Sequence, residues 1–241
     1  MAPLTQKNRE KLAKISTSTL TTCLLLRGFR NVWVRDVLPV VGTAPRMVGE
    51  AFTLRFIPSR EDIDTIAAYA SVEHVQRRAI EECPAGHVLV IDARGRADAA
   101  SAGDIMIARL QARQAAGAVT DGGFRDSIAI AALGFPAYHC RPAPPSSPIV
   151  HHAADLNLPI GCGEVAVYPG DIVVGDAEGV VVIPIHVANE VAEAAFDMTV
   201  YEEFAEEKIR EGRSLFGTFP ASAESRAEFE QWLRQRGLKP V

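Results

Sequence analysis

The sequence predicts an α/β fold with a mixed β-sheet. Through the middle of the chain, short apolar runs alternate with stretches whose apolar residues recur at helical spacing, which is typical of β-α-β units. Residues 160–184 then hold three apolar runs separated by Pro-Gly-Asp and Gly-Asp-Ala-Glu-Gly turn signals. These signals predict hairpins, either in a mixed sheet or in two layers of strands. The 241 residues are enough to bury a sizeable core.

The first part of the chain predicts a helix, a strand and a second helix. Residues 4–26 predict a helix that stops near Gly28. The loosely alternating run of residues 46–57 predicts a strand, which Pro58 ends. Residues 62–81 predict a helix with an apolar face made of Ile63, Ile66, Ala67, Ala70 and Val75.

The rest of the chain continues the alternation and ends in helices. The expected elements are a doubly buried strand at 88–91, a loop at 92–102, a helix at 104–116, a strand at 117–120, a helix at 127–133 and a strand at 135–140. The proline-rich segment 141–148 is interpreted as a long surface connection, with a domain boundary as the alternative. A long amphipathic helix is predicted over 187–211 with Gly212 as its stop, and a charged helix packed on a neighbour over 222–237. We expect one domain over residues 1–241, with a helical extension from about residue 218.

The composition excludes several classes of function. The net charge is -5, and a mildly acidic chain lacks the basic surface that sequence-independent nucleic-acid binding needs. No run approaches the roughly 18 uninterrupted apolar residues of a membrane helix, and the N-terminal residues lack a signal-peptide core. We therefore expect no membrane partner and a cytoplasmic location. The four cysteines are widely separated and form no CxxC pair, which indicates neither a zinc cluster nor a disulfide framework.

The residues best suited to chemistry lie in two strand-to-helix loops, at 102–104 and 121–126. Ligands of open α/β sheets collect at the carboxyl ends of strands, where both loops would lie. Gly103 allows a ligand to approach closely, and the backbone amides from Gly103 to Met106, including those of Asp104 and Ile105, would be the unpaired donors of a helix start. Arg125 offers a planar fork for a carboxylate or keto acid, and Asp126 is a hard oxygen ligand for Mg²⁺ or Mn²⁺. Asp104 could hold a metal-bound water, and such a site would stabilise an enolate.

The same residues also allow a purely structural interpretation. Asp104 and Asp126 could be helix caps, which aspartate forms well. Arg125 could pair with either of them on the surface, and the two glycines at 122 and 123 could form a turn and have no other role. No GxGxxG or GxxxxGK[ST] pattern is present, so a nucleotide-binding fold is not indicated.

The run GDIMIARLQARQAAGAVTDGGFRD resembles the core motif of RraA-like proteins, which include the 4-hydroxy-4-methyl-2-oxoglutarate aldolases. Those aldolases carry a glycine, a spacer of about twenty residues and an Arg-Asp pair after a VxDG strand end. Here Gly103 and Arg125 are 125 − 103 = 22 positions apart, and Val-Thr-Asp-Gly precedes the pair. The wider resemblance covers roughly residues 45–215, including the PGDIVVGDAEGVVVIP block and the EEFAEEKIREG helix end.

The resemblance implies a swivelling β/β/α sandwich with flanking N- and C-terminal helices, assembled as a homotrimer or a dimer of trimers. It implies a divalent metal on Asp126, with Asp104 acting through water and Glu202 or Glu203 of a neighbouring subunit adding a carboxylate. A pyruvoyl group would meet Arg125 and the backbone of residues 103–106. The chain departs from the aldolase motif at Ala129, where those enzymes carry an acidic residue.

The function expected from this resemblance is a metal-dependent lyase. It would cleave or decarboxylate a keto acid, either an aldol of the 4-hydroxy-4-methyl-2-oxoglutarate type or oxaloacetate, through the pyruvate enolate. One alternative is a non-catalytic regulator that binds an RNA-processing enzyme, as the name-giving members of the family do without an Arg-Asp pair. Another is a sugar-acid dehydratase or hydrolase on the same scaffold. The retained Arg-Asp pair favours chemistry.

Other polar or reactive residues are given structural interpretations. His151 and His152, beside Asp155, are placed at the surface or at a helix start, because two adjacent histidines do not easily face one metal from a regular helix. Cys162 lies between two glycines, and we interpret it as a small packing residue. Solvated or satisfied helix positions are assigned to His74, Arg77 and Arg78.

Overall fold

The computed structural model describes residues 2–40 and 46–238, and these contain thirteen strands and eight α-helices. The strands are β1 Leu38–Pro39, β2 Met47–Pro58, β3 His87–Asp92, β4 Ala100–Ala102, β5 Gly117–Thr120, β6 Gly123–Phe124, β7 Ala137–His139, β8 Arg141–Pro142, β9 His151–Leu156, β10 Ile160–Cys162, β11 Val165–Val167, β12 Ile172–Asp176 and β13 Gly179–Ile183. The helices are α1 Gln6–Leu12, α2 Thr17–Leu25, α3 Ile66–Tyr69, α4 Val75–Glu82, α5 Asp104–Ala112, α6 Ser127–Ala132, α7 Ala188–Arg210 and α8 Ala223–Gln235. Short 3-10 turns lie at Ser147–Ile149 and Ile185–Val187.

The main sheet is mixed, as the alternation and the hairpins predict. Its order is β1-β7-β5-β3-β2-β12-β13, with β9 also pairing with β2. Strands β2, β3, β5 and β7 are parallel, which is the β-α-β part, whereas β12, β13 and β9 join antiparallel. A small parallel sheet, β4-β6-β8, and the β10-β11 hairpin complete the architecture.

Buried side chains on the two faces of the sheet define three layers. On one face, Leu89 and Ile91 belong to the cluster that includes Ile80, Ile107 and Ile130 of α4, α5 and α6. On the other face, valines of β3, β5, β12 and β13 pack against the β10-β11 hairpin. A further cluster joins α1, α2 and α7 to β12 and β13. The fold is therefore the β/β/α sandwich with flanking helices that the resemblance implies.

The C-terminal helix α8 packs on α7 of the same chain. Phe229, Trp232 and Leu233 form a buried cluster with Phe204 of α7. The indole nitrogen of Trp232 donates to Glu207 at 3.2 Å, so a polar contact accompanies the aromatic packing. The charged helix predicted for the tail therefore finds its neighbour within the chain.

The single helix predicted over residues 4–26 is wrong, because the segment forms two helices. The Ser16 hydroxyl accepts a hydrogen bond from the Thr19 amide at 3.0 Å and begins α2, four residues after α1 ends. Serine and threonine compete for backbone hydrogen bonds in this way, which favours a new cap over a continuous helix.

The helix predicted over residues 62–81 is also two helices, α3 and α4. Ile66, placed on the predicted apolar face, is 88% exposed, whereas Gln76, Ala79 and Ile80 are the buried residues of α4. The Thr65 hydroxyl caps α3 by accepting from the Ala68 amide, and the break before α4 resets the helical phase. One continuous apolar face is therefore absent from this segment, and its first half lies open.

Most of the other predicted elements are confirmed within four residues at their ends, but the first apolar run of 160–184 forms two strands, β10 and β11, and the proline-rich connection contains β8. The strand at 117–120 and the long helix, observed as Ala188–Arg210, illustrate this agreement. The loop at 92–102 ends in the short strand β4, and the turn at 121–126 contains β6. The chain before and after the proline-rich segment returns to the main sheet, through β7 and β9. No helix within residues 2–40 and 46–238 has the length and apolar character to span a bilayer.

Candidate active site

The two predicted loops meet because β4 and β6 are parallel neighbours. Ala102 pairs with Phe124 at the ends of these strands, and the Arg125 amide donates to the Ala102 carbonyl at 3.1 Å. Helix α5 begins two residues after β4 ends, with Gly103 between them as its N-cap, and α6 begins three residues after β6 ends. Gly103 and the Arg125-Asp126 pair are thereby brought side by side.

Gly103 is in close contact with both partners. A Cβ at this position would lie 3.0 Å from Cγ of Arg125 and 3.1 Å from Oδ2 of Asp126. Its φ of -118° and ψ of 179° are available to any residue, so the backbone conformation does not require glycine. A methyl group here would force Arg125 and Asp126 to shift by a few tenths of an ångström, so glycine lets both side chains lie against the backbone.

Asp126 occupies the N-cap position of α6, but its side chain does not cap the helix, so that part of the structural interpretation is wrong. Its backbone is left-handed, with φ 56° and ψ 37°, and its carboxylate makes no capping hydrogen bond. Oδ2 instead accepts from Nε of Arg125 at 3.1 Å. The side chains remain 43% and 39% exposed, so both groups are accessible to a ligand. Aspartate enters this region more readily than most non-glycine residues, and five other non-glycine residues of the described chain also do so.

Asp104 is the first residue of α5 and not its cap. Its Oδ1 accepts from the Ile105 amide at 2.8 Å, so that amide is engaged by the neighbouring side chain. The Ile105 side chain is 81% exposed, and Met106 packs partly on the core. Of the predicted row of open amides, the one at Ile105 is therefore shared with the Asp104 carboxylate.

Ser146 is a site residue that the sequence does not reveal. Its hydroxyl accepts a hydrogen bond from Nη1 of Arg125 at 3.0 Å, so the proline-rich connection reaches the site. Arg125 is therefore held at two points, by Asp126 through Nε and by Ser146 through Nη1. The two residues are far apart in sequence, and no spacing pattern joins a serine in this segment to an arginine in another loop.

A cavity of about 960 Å³ opens over this pair. One wall is the start of α5 with Arg125 and Asp126, and the other wall comes from α3 and α4. The second wall includes Tyr69, Val72, Glu73, Arg77, Arg78, Glu81 and Glu82. The sequence interpretation of Arg77 and Arg78 as a solvated face did not place this helix at the site. The break between α3 and α4 explains the omission, because it changes which residues face the cavity.

His139 is a buried residue that holds the loop carrying Arg125 and Asp126. Its Nδ1 accepts from the Phe124 amide at 3.3 Å, and its ring stacks on Phe124 with centroids 5.8 Å apart. Burial lowers the pKa of the His139 imidazole to about 4, so the ring is neutral at physiological pH and can accept. Phe124 directly precedes Arg125, and this hydrogen bond therefore fixes the backbone that carries the Arg-Asp pair.

The donors present fit an open magnesium or manganese site. Across residues 2–40 and 46–238, no three His, Cys, Asp or Glu side chains cluster in a way that could enclose a metal ion. Asp126 nevertheless offers a carboxylate that makes no capping hydrogen bond, and Asp104 lines the same cavity. Mg²⁺ is commonly held by one or two carboxylates, with water and substrate oxygens as its other ligands. These two aspartates match that pattern.

Glu202 and Glu203 of α7 do not line this cavity in their own chain. Glu202 accepts from the Thr19 hydroxyl at 3.0 Å, which commits it to an intrachain contact. Glu203 is exposed.

The remaining polar residues are mostly structural. His151 and His152 lie in strand β9, so the predicted helix start is wrong, and the predicted surface position is wrong for His151, whereas His152 is half-buried. His151 is 3% exposed and stacks on Phe56, because alternate residues of a strand face the core. His152 bonds to Asp64 at 2.7 Å. Cys162 is buried, which raises the pKa of its thiol well above the usual value and agrees with a packing role.

Comparisons with known proteins point to one family. The sequence profile of the RraA-like family, described as Aldolase/RraA, matches residues 17–182. A protein of Halalkalibacterium halodurans, provisionally named a 4-hydroxy-4-methyl-2-oxoglutarate aldolase, is 42% identical over 107 residues. That alignment spans 44% of this chain and half of the relative's length.

Solved structures agree with this match. Streptomyces coelicolor RraAS2, described as an unusual member of the RNase ES inhibitor RraA protein family, superposes with a TM-score of 0.74. It is 29% identical and covers 86% of this chain and 98% of its own. An uncharacterized protein from Pseudomonas syringae pv. tomato superposes with a TM-score of 0.77 at 25% identity, over 90% of this chain and 99% of its own.

The contact at Gly103 predicts the effect of adding one methyl group. Gly103→Ala should displace Arg125 and Asp126 and weaken binding of oxalate in Mg²⁺ buffer by about tenfold or more, since charged hydrogen bonds are lost. The free energy of unfolding should fall by no more than about 1 kcal/mol, the cost of a poorer cap. Calorimetry and urea unfolding measure the two effects. Gly161→Ala is the matched control, because a Cβ there meets no atom within 4 Å. Unchanged oxalate affinity in Gly103→Ala would contradict the close-contact role.

His139 predicts a pH dependence of stability. Its folded pKa of about 4 lies below the unfolded value near 6.5, so the unfolded chain binds the extra proton first. The contribution is complete above pH 6.5 and should fall by about 3 kcal/mol as the pH drops from 6.5 to 4. Urea unfolding across this window measures it. His139→Asn, which keeps an acceptor but does not titrate, should show a flatter pH profile than the parent protein. Parallel profiles would remove His139 as the cause.

Proposed function

This chain belongs to the RraA-like family, and we propose that it is a divalent-metal-dependent lyase that acts on a 2-oxo acid through the pyruvate enolate. The observation that carries the proposal is the Arg125-Asp126 pair, which contacts Gly103 and lines a cavity of about 960 Å³. The Asp126 side chain makes no capping hydrogen bond to its helix. The 42% identity to a provisionally named aldolase supports the same assignment.

The residues divide the work between the keto-acid end and the proton. The planar fork of Arg125 binds the carboxylate and keto oxygens of the substrate, and Ser146 and Asp126 orient that fork. Asp126, with Asp104 acting through water, would hold Mg²⁺ or Mn²⁺, which supplies Lewis-acid stabilisation of negative charge on the keto oxygen. Stabilising that charge favours cleavage of the C3–C4 bond, because its electron pair moves into the enolate.

We assign the proton transfer to a water molecule held by Asp104. Its carboxylate lies at the cavity wall, where it can hold a water molecule near the reacting carbons. In retro-aldol cleavage this water takes the proton of the C4 hydroxyl, and a proton returns to C3 of the enolate to give pyruvate. In decarboxylation CO₂ leaves in place of the carbonyl product, and the same protonation completes the reaction. One site therefore serves both reactions.

We also propose that the site is completed by a second copy of the chain. Because Glu202 is bonded to Thr19, Glu203 is the better candidate for the carboxylate that a neighbouring subunit contributes. The corresponding assembly is a homotrimer or a dimer of trimers, and closed symmetric oligomers are usual for soluble enzymes. Light scattering of the active protein tests this assembly, and a strict monomer that still turns over substrate would remove Glu203 from the site.

A second candidate is a non-catalytic regulator of an RNA-processing enzyme. The likeness to Streptomyces coelicolor RraAS2 over 86% of this chain favours it. A docking surface has no need of a carboxylate in left-handed backbone beside a closely packed arginine, so we place this alternative second. The dehydratase or hydrolase alternative has no observation of its own in its favour.

The proposal is tested by measuring pyruvate release from several 2-oxo acids with and without Mg²⁺. We expect release from oxaloacetate and 4-hydroxy-4-methyl-2-oxoglutarate, with loss of turnover in EDTA and recovery on adding Mg²⁺. Asp126→Asn keeps the shape but loses the negative charge of the metal ligand, so it should abolish the Mg²⁺-dependent turnover. Release that EDTA and Asp126→Asn leave unchanged would contradict the metal role. No release from any substrate would contradict the lyase assignment.

Replacing Arg125 by lysine tests whether the fork acts in the transition state. Lysine keeps the charge but loses the two-point geometry. A lost charged hydrogen bond of ~3 kcal/mol corresponds to roughly a hundredfold lower kcat for oxaloacetate decarboxylation. Arg109→Lys is the control, since Arg109 lines the same cavity but is paired with Glu81 at 2.8 Å. A raised KM with intact kcat would mean that Arg125 only binds substrate, and no change in either would place the keto-acid pocket elsewhere.

A further inference from the structure

The cavity over the Arg-Asp pair is lined by four arginines, and one of them differs from the others. Three are paired with carboxylates, namely Arg78 with Glu82 at 2.7 Å, Arg109 with Glu81 at 2.8 Å and Arg125 with Asp126 at 3.1 Å. Among the residues that the structure describes, no carboxylate lies within 4 Å of the Arg77 guanidinium, although Glu73 lines the same wall one helical turn away. Of the four, Arg77 is therefore the guanidinium that has no direct carboxylate partner in the described part of the chain.

The position of this guanidinium is set by an aromatic ring. Its central carbon lies 5.5 Å from the centroid of the Tyr69 ring, and the edge of the His74 ring meets the same tyrosine with centroids 5.0 Å apart. A cation–π contact of this kind uses none of the guanidinium N–H donors, so they stay available to a ligand. A carboxylate can bind to such donors in a bidentate manner.

Arg77 and Tyr69 lie on the α3–α4 wall, which faces the same cavity as Arg125 and Asp126. Burial raises the pKa of the Tyr69 phenol, and the charges of Arg77 and Arg125 offset part of that rise, so Tyr69 lies within electrostatic reach of both arginines. The phenol is neutral at physiological pH and can donate a hydrogen bond. A ligand whose keto-acid end is held at Arg125 would extend its other end towards this wall.

We propose that Arg77, positioned by Tyr69, binds the second carboxylate of the substrate and makes the site selective for 2-oxo acids with an anionic distal end. This assignment rests on the proposed function for the keto-acid end of the site. Arg77 is exposed, as its interpretation as a solvated helix position predicts, and the proposal adds a role in specificity.

The test compares Arg77→Ala with the parent protein on two aldols in Mg²⁺ buffer. One is 4-hydroxy-4-methyl-2-oxoglutarate, which has a distal carboxylate, and the other is 4-hydroxy-2-oxopentanoate, which has none. Arg77→Ala should lower kcat/KM for the first by about 10- to 100-fold, the cost of a lost charge-assisted hydrogen bond, and leave the second unchanged. For the first aldol, kcat/KM of Arg77→Lys should lie between the values of the parent protein and of Arg77→Ala, because lysine keeps the charge without the fork.

Arg78→Ala is the matched control. It removes the same charge from the adjacent position of the same helix and cavity wall, but from an arginine that Glu82 already pairs. Its ratio of kcat/KM for the two aldols should stay at the parent value. Equal loss on both aldols in Arg77→Ala, or no loss on either, would overturn the distal-carboxylate role. If Arg78→Ala changed the ratio of kcat/KM for the two aldols as much as Arg77→Ala does, the distal-carboxylate role would also be overturned. The change would then reflect the loss of a positive charge anywhere on this wall.

A binding measurement separates this inference from the lyase assignment. Calorimetry with pyruvate and 2-oxoglutarate in Mg²⁺ buffer requires no turnover. Arg77→Ala should weaken 2-oxoglutarate by about 10- to 100-fold and leave pyruvate affinity unchanged, which also shows that the variant is folded. If the parent protein releases no pyruvate but shows this binding difference, the lyase assignment fails and the subsite stands. If 2-oxoglutarate binds both proteins equally, or binds neither, the subsite is wrong whatever the activity.

Discussion

The candidate site depends on the packing of the Gly103 backbone against the side chains of Arg125 and Asp126. Parallel pairing of β4 and β6 places the ends of these strands side by side, so two helices begin at neighbouring points. The absence of a side chain at Gly103 lets the arginine and the aspartate lie against the start of α5. His139 accepts from the Phe124 amide and Ser146 accepts from the Arg125 guanidinium, so both residues hold the same loop. The positions of Arg125 and Asp126 therefore follow from the pairing of β4 with β6 as well as from the hydrogen bond between the two side chains.

This arrangement gives one cavity two different walls. The Gly103 wall carries carboxylates, a fork of N–H donors and a helix start, which suit a small keto acid and a hard cation. The α3–α4 wall carries an arginine in cation–π contact with a tyrosine, which suits an anionic group further along the ligand. The first wall defines the proposed chemistry, and the second defines which substrates reach it.

Local signals in the sequence predicted most of the elements and the meeting of the two loops, but not the other contacts that reach the site. The strand at 117–120 and the helix Ala188–Arg210 were predictable because apolar periodicity and flanking glycines are local. The meeting of Gly103 with Arg125 was predicted by the placement of two loops at strand ends. Ser146 was not, since its hydrogen bond to Arg125 joins segments with no shared pattern. Tyr69 and Arg77 were missed because the break between α3 and α4 alters the helical phase.

The central claim is that this pocket stabilises the enolate of pyruvate, and exchange of the pyruvate methyl protons tests it most directly. Enolisation removes a proton from C3, and return of a deuteron from D₂O records each event without any need to know the physiological substrate. Proton NMR of pyruvate in D₂O with the protein and Mg²⁺ should show loss of the methyl signal well above the rate in buffer with Mg²⁺ alone. Exchange at the buffer rate, with pyruvate shown to bind, would contradict the account.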